Sequence, residues 1–181
     1  NWYANGPKRG RTFAGIIDGH GHTISGLSLP VPDHATAGNT HAGILAGYII
    51  PGSTAEDAYE YTEYGCYAGV FNLAILESNI SSGSPYCGGL FGQVGANDTG
   101  EGLQKIKFEN LYVDVDITSR LEITASSGAI YVGGLTGKCG RGYDMEVNNV
   151  VYAGTIKATG AKYNNRVGGF IGECNAHNTS G

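Results

Sequence analysis

Two short patterns recur in the same order along the chain, and a repeat limits the available folds more than any other feature. The first is Cys87-Gly88-Gly89-Leu90-Phe91-Gly92, Val132-Gly133-Gly134-Leu135-Thr136-Gly137 and Val167-Gly168-Gly169-Phe170-Ile171-Gly172, with a degenerate earlier copy at Ala42-Gly43-Ile44-Leu45-Ala46-Gly47. The second is Phe71-Asn72-Leu73-Ala74-Ile75, Glu109-Asn110-Leu111-Tyr112-Val113 and Asn148-Asn149-Val150-Val151-Tyr152. Its asparagines fall about 38 and 39 residues apart, and the paired glycines about 45 and 35 apart, within the range of structural repeats. Local periodicity is that of strands, since Leu111, Val113, Val115 and Ile117 alternate with Tyr112, Asp114, Asp116 and Thr118. Strands are also expected at 121–124 and 130–135. Each repeat then offers about three short strands separated by Gly, Ser or Asn corners, with no room for a helical crossover. The predicted fold is all-β: a right-handed parallel β-helix, or β-solenoid, forming a single domain over residues 1–181.

Composition agrees. The chain carries 31 glycines in 181 residues, 41% hydrophobic and 15% charged residues. The glycines lack a three-residue period and Pro is scarce, which excludes collagen. The apolar content argues against disorder, and Gly costs about 1 kcal/mol against Ala inside a helix. Paired glycines suit corners with positive φ or close backbone approach. Asn suits corners because it tolerates the left-handed conformation. A formal charge of −5 argues against a nucleic-acid surface. No apolar run approaches the ~18–20 residues of a membrane-spanning helix. The chain opens on Asn1-Trp2-Tyr3 and closes on Asn178-Thr179-Ser180-Gly181, without an initiator Met or signal peptide, so it is expected to be an excerpt or processed product.

The block Phe13-Ala14-Gly15-Ile16-Ile17-Asp18-Gly19-His20-Gly21-His22-Thr23-Ile24-Ser25-Gly26-Leu27 resembles the opening motif of GLUG-repeat proteins, F-x-G-x-x-D-G-x-G-H-x-I-x-G-L. The later Gly-Gly-Leu-x-Gly and Asn-Leu segments resemble the repeats that follow it, and together the matches cover roughly residues 12–174. The resemblance implies a β-helical region of a large secreted or surface-attached protein, mostly bacterial, serving as stalk, spacer or adhesive surface. It places the protein outside the cell or on its surface. Some such proteins are metallopeptidases, whose catalytic domain would lie outside this chain.

The chain departs from the family at residues 49–67, an insertion with Tyr59, Tyr61, Tyr64 and Tyr67 interleaved with Glu60 and Glu63. A lid packed on the outer wall and a contact surface for carbohydrate or protein both fit such a segment. Two coil sizes also fit the repeat: one three-strand coil of about 38 residues, or two flattened coils of about 19. Cys139 and Cys174 test this, since both follow the second Gly of their repeats by five residues. Single coils bring their Cα atoms to about 5 Å, within disulfide reach, and double coils to about 10 Å. Cys66 and Cys87 would then form the second pair, and an even Cys count fits an oxidising compartment.

No catalytic constellation, cofactor motif or metal set stands out. There is no Cys-x-x-Cys, no His-Glu-x-x-His and no phosphate-binding Gly-x-x-x-x-Gly-Lys. His20 and His22 lack an evident third ligand, and Asp114 with Asp116 offers too few oxygens for calcium. Asn79, Asn97 and Asn178 head N-glycosylation sequons. The leading expectation is a non-catalytic extracellular structural or adhesive protein, stacking end to end into a fibre or binding surface glycans or proteins. The rivals are a polysaccharide lyase or glycoside hydrolase using Asp114, Asp116 and Arg120, and a carbohydrate-binding module using the Tyr insertion.

Overall fold

The structure, a computed structural model, describes residues 13–31, 41–51, 60–95, 104–121, 129–140, 143–159 and 164–175. The first repeat supplies β1 (Ile16–Asp18), β2 (Thr23–Ser25), β3 (Ser28–Val31), β4 (His41–Ala42) and β5 (Ala46–Ile49). The second supplies β6 (Ala68–Ser82), β7 (Tyr86–Gly88) and β8 (Phe91–Val94). The third supplies β9 (Gln104–Ser119), β10 (Ile130–Gly133) and β11 (Thr136–Cys139). The fourth supplies β12 (Tyr143–Tyr152), β13 (Ile156–Ala158), β14 (Asn165–Gly168) and β15 (Ile171–Cys174). No described residue is helical, and no helix is long and apolar enough to cross a membrane among the described residues.

Every strand-to-strand pairing is parallel and joins one repeat to the next. The strands form three sheets. The widest has seven strands, with β6 and β9 at its centre, β1 to β3 on one side and β12 with β13 on the other. The other two have four each, in the orders β4-β7-β10-β14 and β5-β8-β11-β15.

This corrects the expectation of a right-handed parallel β-helix made of short, similar strands. The chain is all-β and parallel, but its architecture is three unequal sheets, one dominated by strands of 15 and 16 residues. The expected corners at the Asn positions do not end a strand. Asn72, Asn110 and Asn149 have φ of 50°, 55° and 49°, and pairing continues on both sides of each. The left-handed residue instead shifts the inward phase by one. Val70 is followed inward by Leu73, and Phe108 by Leu111. Of the strand expected at 121–124, Leu121 is buried and outside any strand, and 122–124 lie outside the described residues.

The core lies between the sheets. Val70, Ile75, Phe91, Phe108, Ile130 and Leu135 are among its fully buried side chains. The Phe91 ring stacks between Phe13 and Phe108, at 6.4 and 6.0 Å between centroids. Burying an aromatic side chain stabilises by about 1.5–3 kcal/mol, so these rings anchor the repeats to one another. The paired glycines serve close approach rather than positive φ. A β-carbon on Gly89 would stand 2.1 Å from the Gly134 carbonyl oxygen, and one on Gly134 would stand 2.2 Å from that of Gly169.

Candidate functional site

Along the widest sheet the αL asparagines stack into a ladder of side-chain amides. Asn149 Nδ2 donates to Asn110 Oδ1 at 2.8 Å, and Asn110 Nδ2 donates to Asn72 Oδ1 at 3.0 Å. Asn72 Nδ2 in turn donates to Asp18 Oδ1 at 3.1 Å. The same carboxylate accepts the His20 amide at 2.8 Å and, on Oδ2, the Tyr64 hydroxyl at 3.0 Å. The His20 amide, then Asn72 and then Tyr64 hold the Asp18 carboxyl below the usual carboxylate range. Its stabilising effect is therefore complete above about pH 4, the ordinary value, and disappears as pH falls through the lower folded value. The stability difference between the protein and Asp18→Asn should shrink as pH falls from about 5 towards 2, measured as Tm against pH. A difference that persisted unchanged to pH 2 would remove the carboxylate from the ladder.

Asn110 does two things at once, holding two ladder bonds and a left-handed backbone. Asn110→Gly keeps the backbone and loses the bonds, at an expected cost of about 1 kcal/mol. Asn110→Val adds a further cost of about 1–2 kcal/mol for a branched residue at positive φ. Urea unfolding of both variants separates the terms, and equal losses would contradict the assignment.

Residues 61–67 of the Tyr insertion pack over the outer wall beside Gly15 and Phe71. The Tyr64 ring tilts against Phe71 at 4.6 Å, and the Tyr61 hydroxyl lies over Gly15. The Tyr61 amide donates to the Cys66 carbonyl, and the Tyr67 amide donates to the Lys105 carbonyl. Tyr59 lies outside the described residues.

A second cluster joins the two four-stranded sheets. His41, Tyr86, Tyr131 and Arg166 are in register, and so are Tyr48, Gln93, Lys138 and Glu173. His41 stacks on Tyr86 at 4.6 Å and Tyr86 on Tyr131 at 5.0 Å, with Arg166 over the far face of Tyr131 at 5.5 Å. Across the seam, Lys138 Nζ sits 5.1 Å from the Tyr131 ring centre, and Lys138 and Arg166 both pair with Glu173. Gln93 and His41 are in hydrogen-bond contact at 2.9 Å. The ring faces are covered by one another and by cations, so the column is a cation–π brace rather than an open platform. Sequence reading missed it, although its signal recurs. The residue two before the first Gly of each motif, and the residue following the last, supply the two columns.

No protein-family model matches the chain, and no curated protein or solved structure is found similar to it.

The expected catalytic grouping is engaged in contacts between and beside repeats. Asp116 Oδ1 accepts the Thr155 amide at 2.8 Å and its hydroxyl at 2.6 Å. Arg120 donates to the Ser81 hydroxyl and the Val31 carbonyl, and Asp114 accepts the Glu77 amide at 3.4 Å. His20 has φ 48° and is exposed, as is His22, and no metal-holding cluster occurs among the described residues.

All four cysteines carry free thiols. Cys139 and Cys174 are register partners on β11 and β15, so successive repeats are direct neighbours at this column. Burial, then the adjacent Cys174, pushes the Cys139 thiol up to about 12. Burial does the same for Cys87. Cys66 and Cys87 lie apart in the pairing scheme: Cys66 bridges Tyr61, whereas Cys87 pairs with Ala42 and Val132. Asn79 is exposed on β6 and accepts the Ser28 hydroxyl at 2.9 Å. Asn97 and Asn178 lie outside the described residues.

Proposed function

We propose that the protein is a non-catalytic structural or adhesive element outside the cell or on its surface, a repeat region of the GLUG type. The observation that carries this reading is the use of its polar side chains. The Asn ladder, the aromatic–cation column and the Asp116–Thr155 bonds each tie one repeat to the next, as a load-transmitting stack requires. The carboxylates and Arg120 that a lyase or hydrolase would need already bind backbone or hydroxyl groups. Tyr64 of the insertion has its hydroxyl on Asp18 and its ring on Phe71, which leaves little of it for a sugar.

The test is depolymerisation of acidic polysaccharides, followed by chain length and new reducing ends. No turnover is expected from the protein or from Asp116→Ala. Turnover by the protein that Asp116→Ala abolishes would overturn the reading in favour of an enzyme.

A further inference from the structure

The inward columns that are closed in the middle of the stack are open at its C-terminal end. Leu90 and Leu135 are 1% exposed, whereas Phe170, whose carbonyl accepts the Leu135 amide, is 44% exposed. Cys87 and Val132 are fully buried, and their register partner Val167 is 48% exposed. Gly169 repeats the environment of Gly89 and Gly134 in sequence, yet a β-carbon there would meet nothing within 4 Å. At the other end Ala42, Ile44 and Ile49 are buried. Among the described residues, the two four-stranded sheets are therefore covered at the first repeat and exposed at the fourth, where the core is unfinished.

The amide ladder gives this open end a direction. Asp18 as a carboxylate can only accept, so Asn72 must turn its NH2 towards Asp18 and its carbonyl towards Asn110. Asn110 must then donate to Asn72, and Asn149 to Asn110. One acid thus orients every amide above it, and Asn149 Oδ1 faces outward as an acceptor with no donor among the described residues.

We propose that the exposed edge formed by β12 to β15 is an interaction surface for a further repeat of the same pattern. That repeat must present an apolar residue over Phe170, a glycine pair over Gly168 and Gly169, and a side-chain amide donor opposite Asn149. The first repeat of a second copy does not meet these terms. Its position equivalent to Asn72 is Gly19, which meets the Asn72 carbonyl, and the neighbouring Asp18 has no proton to give. Two C-terminal ends set tail to tail would bring acceptor against acceptor. The surface therefore extends the stack with a matching repeat and does not polymerise the chain on itself.

The experiment repeats residues 141–175 once after Asn175, ahead of the native tail, so that the copy carries its own ladder Asn. Tm should rise by at least about 4 °C, and the amides of β12 to β15 should exchange about tenfold more slowly. Unchanged Tm and exchange would overturn the proposal. Asn149→Asp within the added copy should cancel much of the gain, and indifference to it would overturn the ladder's part. Phe170→Asp should leave the Tm of the unextended protein nearly unchanged while cancelling the gain in the extended one. Sedimentation of the unextended chain at high concentration is expected to show no polymer. Fibres or tail-to-tail dimers would overturn the directional argument. None of these readouts depends on the absence of catalysis, so the proposed function stands or falls separately.

Discussion

Gly89→Ala is expected to leave no cooperatively folded protein, with a loss of at least about 4 kcal/mol. The added methyl would overlap the Gly134 carbonyl oxygen at 2.1 Å and lie 3.3 Å from Val113 Cγ1. That oxygen belongs to backbone which accepts the Gly89 amide at 3.1 Å and sits between buried Val132 and Leu135. Relief requires the second and third repeats to separate, which breaks their parallel pairing and opens the core between them. Gly169→Ala is the matched control, since it changes the same motif position at the open end. Nothing stands within 4 Å of that site, and an effect within about 0.5 kcal/mol is expected. Urea unfolding measures both. Similar losses at the two sites would mean that the glycine pair is required by local backbone conformation rather than by close stacking.

Phe91→Ala should cost about 3–5 kcal/mol without changing the fold. Its ring is fully buried and lies between Phe13 and Phe108. Its register neighbours, Ala46 and Thr136, are too small to collapse into the space. The change would leave a cavity bordered by stiff strands, which relax little. The expected signature is a lower urea midpoint with an unchanged slope. A loss below about 1 kcal/mol would place the ring outside the packed core.

Much of the neighbour relation between repeats was legible without the structure. The Asn spacing aligned 72, 110 and 149, and the glycine spacing aligned 133 with 168; both alignments appear as contacts in space. The pairing of Cys139 with Cys174 as strand neighbours follows from the same offset. Parallel stacking explains why, because equivalent residues of adjacent repeats become nearest neighbours. What each position does there was harder to see. The glycine pairs could serve corners or close approach, and only the distances to facing carbonyls decide for the second. The αL asparagines were expected to end strands, yet neighbouring repeats pair through them and hold the chain extended on either side. The brace of His41, Tyr86, Tyr131 and Arg166 was missed because only two of its four residues are alike, and motif comparison looks for identity.

The sequence by itself determined an all-β chain and, at the Asn and Gly-Gly motifs, which residues of successive repeats stand beside one another. Side-chain periodicity and recurrence are local properties, and both are written in the chain. The tertiary structure alone decided that the strands gather into three unequal parallel sheets, that Asp18 orients the amide ladder, and that Val167 and Phe170 of the fourth repeat stay exposed. Those outcomes depend on hydrogen bonds and burial between segments from 35 (Ile130 and Asn165) to 54 (Asp18 and Asn72) residues apart, which exist only once the repeats pair.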